Sequence, residues 1–192
     1  NAHASFNRVA ALNEAAKELL ARSRHVNLLA LDAMVQSKRG GSSLRGFDEV
    51  SSQMRRWSRD LHVELQGLAA LSCQVVTEVS RACKEAHLLR LLQRAAEATS
   101  SPAASRTFLQ RSAMQENREL TLIRLWRKVV DALGDLDQLG MMAVVLSRSA
   151  MIEASSGADE QRAQLAQVSQ EFYGSSESVM NVLKLTLKEM RR

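Results

Sequence analysis

An all-α fold, an elongated antiparallel four-helix coiled-coil bundle made of two helical hairpins, is what this sequence predicts, and three observations predict it. The 192 residues are 45% hydrophobic yet only 4% aromatic, with a single proline, Pro102. Ala, Leu, Ser, Glu, Gln and Arg abound instead, as in helices that pack through small and aliphatic side chains. Apolar residues recur at alternating steps of three and four over long stretches, the repeat of helices that wind about each other. Gly, Ser and Pro collect at three breaks, residues 40–43, 98–105 and 155–160.

The first helix carries the repeat through Val9, Leu12, Ala16, Leu19, Val26, Ala30 and Ala33, skipping Ser23, and stops at Gly40. The second runs through Phe47, Val50, Met54, Trp57, Leu61, Leu68, Leu71, Val75, Ala82, Leu89, Leu92 and Ala96, with Glu64, Glu78 and Glu85 out of character. Ser101 followed by Pro102 is the N-cap and first-turn proline of a third helix. Its repeat is weak from Arg106 to Glu119 and then firm through Leu122, Trp126, Val129, Leu133, Leu136, Gly140, Ala143, Ser147, Ala150 and Ala154. Leu165, Val168, Phe172, Val179 and Val182 mark the fourth.

The breaks divide the chain almost symmetrically, into about 40, 60, 55 and 35 residues. Two hairpins facing the same way follow, in one domain over 1–192: hairpin one over 4–98, a turn at 99–103, hairpin two over 104–191. The inner helices would reach roughly 80 Å at 1.5 Å per residue, and the outer pair would cover only the half nearest the Gly-containing turns. A gapless internal match, AMVQSKRGGSSLRG from Ala33 with AMIEASSGADEQRA from Ala150, pairs Gly40 with Gly157 and Arg45 with Arg162. Gly40, Gly41 and Gly157 therefore belong to turns, and Gly46 is expected to permit close helix approach just after the first.

Charge and special residues exclude several functions. The 26 Lys and Arg against 21 Asp and Glu leave +5, and no aromatic platform or basic groove motif accompanies it, so nucleic acid is disfavoured as a partner. Cys73 and Cys83 lie about 15 Å apart along one helix, too far for a disulfide between them, and read as free thiols of a reducing compartment. The longest apolar run, Met141 to Leu146, is far short of the roughly 18 residues a membrane span needs, and charged residues such as Arg8 and Lys17 interrupt the N-terminus where a signal peptide would be apolar. The expected location is the cytoplasm, for this chain or as the soluble piece of a longer one.

His25, His62 and His87 form no pair three or four apart, and no zinc-spaced cysteines, Gly-rich phosphate loop or nucleophile motif occurs. Nothing calls for an enzyme, a metal, a cofactor or a small-molecule substrate. The eight methionines fall mostly on or beside the seams, where they fill the core. Lys38, Arg39, Arg45, Arg55, Arg56 and Arg59 near the first turn oppose Glu153, Asp159 and Glu160 near the second; adjacent turns would let these charges pair, and otherwise the basic residues form a patch for a protein partner or an anionic lipid or nucleic acid.

From Asn27 onward the chain reads Asn27, Leu28, Leu29, Ala30, Leu31, Asp32, Ala33, Met34, Val35, then Arg39, Gly41, Arg45, Gly46, Phe47, Val50 and Arg55. Without insertion or deletion this resembles the cytoplasmic signalling hairpin of methyl-accepting chemotaxis receptors, N-[IL]-L-A-L-N-A-A-[IV] followed by R-x-G-x-x-x-R-G-F. The resemblance covers residues 19–60 and, weakly, 139–175. It implies a bacterial, non-enzymatic signal-transduction protein whose output is a change in helix packing passed to a chemotaxis histidine kinase and its coupling protein, with self-association at the same end. It also implies contact or turn roles for Leu28, Leu31, Arg39, Arg45, Phe47 and Glu49.

Several family carboxylates are replaced, by Gln36, Ser42 and Gln53, and Arg24 stands where the family has an aromatic residue. Val144, Ser156 and Gln164 depart likewise in the second hairpin. Glu97 and Glu177 are lone acids rather than the paired sites of methylation. Because these losses fall on surface positions, a structural or adaptor protein that keeps the receptor core is a second reading. An anionic-surface binder is a third, marked by salt-dependent binding.

Overall fold

The computed structural model describes residues 2–39, 45–99, 102–155 and 159–190. These form four α-helices, α1 (Ala2–Arg39), α2 (Arg45–Thr99), α3 (Pro102–Ser155) and α4 (Asp159–Met190), with no strand among the described residues. Their lengths of 38, 55, 54 and 32 residues reproduce the long inner and short outer pattern. Of the expected turn at 99–103, Thr99 belongs to α2 and 102–103 to α3, which begins at Pro102, whose fixed φ and missing N–H suit a first helical position. Ser101, Gly40, Gly41 and Gly157 lie outside the described residues.

Several ends suit the helix dipole: Lys38 and Arg39 close α1, Asp48 sits in the first turn of α2, and Lys188 ends α4. α1 packs against α2 and α4, and α3 packs against the same two helices. Along α1, Ser23 meets His62 of α2 and Ser37 meets Asp48, so the partner's number falls as that of α1 rises. Along α2, Gly46 faces Glu153, Trp57 reaches Leu139, and Glu85 reaches Arg111. Arg22 donates to Ser178 of α4, and Gly140 of α3 abuts Met180 of α4.

Large and small side chains are divided between helices in the half nearest residues 39 and 45. From residue 30 to 37 the buried positions of α1 are Ala30, Ala33 and Ser37, and from 140 to 154 those of α3 are Gly140, Ala143, Ser147, Ala150 and Ala154. α2 and α4 fill the space these leave, with Phe47, Met54, Trp57 and Leu61 from one and Leu165, Val168 and Phe172 from the other. The rings of Trp57 and Phe172 meet edge to face, centroids 5.6 Å apart and planes at 68°. The Trp57 indole Nε1–H donates to the Leu139 carbonyl at 2.7 Å, which satisfies its one polar atom inside the core.

The seam of α2 is wider than the heptad count predicts. Ser51, Ser58, Leu65, Ser72 and Val79 are buried, whereas Val50 and Leu71 are half-buried and Glu64 is exposed. A helix facing two neighbours needs a broader stripe than a two-stranded coil, and small polar residues fill part of it. Ser51, Ser147 and Ser169 each donate to the carbonyl four residues back, so their burial leaves no hydroxyl unpaired.

Beyond Val79 in α2 and before Leu125 in α3, no described side chain is buried. Met190 of α4 and Arg8 of α1 lie beside Trp126 and Val130, so the outer helices stop near that level. Over the remaining twenty or so residues of each inner helix, about 30 Å, α2 and α3 pair alone. There Glu85, anomalous in the apolar count, receives Arg111 at 2.9 Å and Arg118 at 3.8 Å.

Candidate interaction surface near the helix ends

Arg39 ends α1, Arg45 begins α2, and both are exposed beside residues 40–44, which lie outside the described set. Ser37 donates to the Asp48 carboxylate at 3.0 Å and ties the two helices just below. The Glu153 carboxylate of α3 stands over Gly46, where any Cβ would collide with it. The near neighbour of Gly46 is thus a side-chain carboxylate rather than a helix backbone, and it occupies the first turn of α2, where the dipole and unpaired N–H groups favour an anion.

The six residues singled out from the sequence do not share one surface. Phe47 is 1% exposed and belongs to the core, where it anchors the first packed layer rather than offering itself for contact. Glu49 is exposed and held along its own helix by Gln53 at 3.0 Å and Arg56 at 3.4 Å. Leu31 is half-buried, and Leu28 is 62% exposed. Leu28 precedes Arg39 by three helical turns, so it lies about 16 Å from the end of α1.

The charge pairing expected between the two turns is not present among the described side chains. Arg56 engages Glu49, Arg55 points to the Met34 sulfur at 3.7 Å, and Glu153 is seated over Gly46. The side chains of Asp159 and Glu160 lie outside the described residues.

Two apolar rows lie outside the seams; the seam count picks out neither, and the resemblance points only to Leu28 of the first. On α1, Leu28 and Val35 sit seven apart, and on α3, Met142, Val145 and Ile152 follow steps of three and seven, all exposed. Counting apolar residues off the seam, rather than only on it, would have found both. Between α1 and α2, Leu28 also borders an open cavity of about 510 Å³ with Arg24, Asn27, Ser58, Arg59, His62 and Val63.

His62 is held in place there. Gln66 approaches its Nε2 at 3.1 Å, its Nδ1 lies 3.2 Å from the Ser23 hydroxyl, and Ser23 in turn donates to the Leu20 carbonyl at 2.9 Å. If the Gln66 amide donates, the network assigns the ring proton to Nδ1 and gives each polar atom one partner. These residues present basic and apolar surface. Compared with family models, with curated proteins and with solved structures, the chain matches none, and the resemblance to the receptor hairpin rests on its own residues.

Proposed function

We propose that the four helices are two antiparallel hairpins of one elongated coiled-coil bundle, and that the chain is a non-enzymatic signal-transduction protein resembling a chemotaxis receptor signalling hairpin. It acts by protein contacts at its tip, with a histidine kinase and coupling protein as partners. The seating of Glu153 over Gly46 carries this reading: it brings the start of α2 against the end of α3, at the end of the helices where Arg39 and Arg45 are exposed.

Retention of the purified chain on an immobilised chemotaxis kinase and coupling protein tests the proposal. Binding at micromolar concentration is expected, with Arg39→Glu weakening it by about tenfold, since a rim charge reversed at an interface costs about that much. No retention of either form at that concentration contradicts it. The loss of family carboxylates at Gln36, Ser42 and Gln53 favours a second reading, an adaptor coiled coil that keeps the core without kinase control.

A further inference from the structure

The outer groove between α1 and α2 combines features that no helix packing needs. Leu28 and Val63 line it while each is 62% exposed. Arg24 and Arg59 line it as well, and among the described residues neither has an ion pair or a side-chain hydrogen bond. No carboxylate lines it among the described residues. Ser58, also lining it, is fully buried, and its hydroxyl has no partner among the described residues, unlike the serines that bond their own helix. His62 is already committed to Ser23 and Gln66 and Ser58 is buried, so the accessible donors are the two exposed guanidinium groups, with the half-buried Asn27 amide beside them.

We propose that this groove binds a small amphipathic carboxylate, the anion held between Arg24 and Arg59 and the apolar body laid along Leu28 and Val63. Two cations sharing one groove without a counter-charge repel each other, and a single anion between them reverses that term. The guanidinium fork matches a carboxylate with two parallel N–H···O bonds. Inorganic phosphate would satisfy the charge and leave the apolar walls in water; a neutral apolar molecule would cover the walls and leave the charges unmatched. The cavity, at 510 Å³, lies within the range that small ligands occupy, about 300–1,000 Å³.

Isothermal titration of octanoate into the full chain at low salt tests this, with octanamide and inorganic phosphate titrated in parallel. The double variant Arg24→Glu with Arg59→Glu changes two exposed side chains, and circular dichroism checks that its helices remain. Saturable octanoate binding is expected, weaker by about tenfold or more for octanamide and for the variant, with phosphate failing to compete at equal concentration. Val63→Ser should weaken octanoate as well by removing an apolar wall without adding charge. Absence of saturation up to about 10 mM, equal affinity in the double variant, or phosphate binding as tight as octanoate overturns the assignment.

Discussion

Ser23 and Ser72 are both fully buried serines in long helices, and their surroundings make them opposites. Ser23 donates to Leu20 and pairs with His62, a residue 39 positions away. Ser72 has no partner for its hydroxyl among the described residues. Ser72→Ala should therefore be neutral or stabilising by up to about 1 kcal/mol, since it sheds a desolvated hydroxyl and gains helix propensity. Ser23→Ala should cost about 1–2 kcal/mol, because it removes the partner of the His62 Nδ1 in the part-buried interface. Urea denaturation measures both, and equal midpoints for the two variants would refute the distinction. In the sequence Ser23 reads only as a gap in an apolar series. Its role depends on a residue brought alongside by the turn, which no local pattern encodes.

At the scale of the element, α1 and α3 differ from α2 and α4 in what they give the core. Ala143 and Ala150 are buried where α2 and α4 bring large side chains, and Gly140 lies so close to α4 that a Cβ there would come within 2.6 Å of Met180 Cγ. Ala150→Leu should destabilise the protein by about 1–3 kcal/mol through overpacking, whereas Val145→Leu on the exposed face of the same helix should change stability by less than about 0.5 kcal/mol. Thermal unfolding followed by circular dichroism separates the two. The four helices were legible because their periods persist for tens of residues and because glycine, serine and Pro102 interrupt them. The breadth of the α2 stripe was not, because Ser51, Ser58 and Ser72 look polar to any hydrophobic count and become core only when two neighbours close over them. The burial of Phe47 was legible, because it opens the apolar repeat of α2; only the resemblance made it a contact residue.

For the molecule as a whole, the core ends where α1 and α4 end. α2 beyond Val79 and α3 before Leu125 keep only half-buried contacts, among them Glu85 with Arg111 and Arg118. Their amides should exchange with deuterium about a hundredfold faster than those of α2 from 54 to 75 and α3 from 129 to 150, since local opening there exposes little apolar area. Uniform exchange along α2 would contradict a core confined to one half. No helix among the described residues is long and apolar enough to cross a membrane. The most direct test of the shared tip is the distance between spin labels at the exposed positions Glu49 and Arg148, in a chain with Cys73 and Cys83 changed to Ser. Neighbouring helices with axes about 10 Å apart predict a single narrow distribution below about 35 Å. A population beyond about 60 Å, as turns at opposite ends or an unbroken rod would produce, would contradict it.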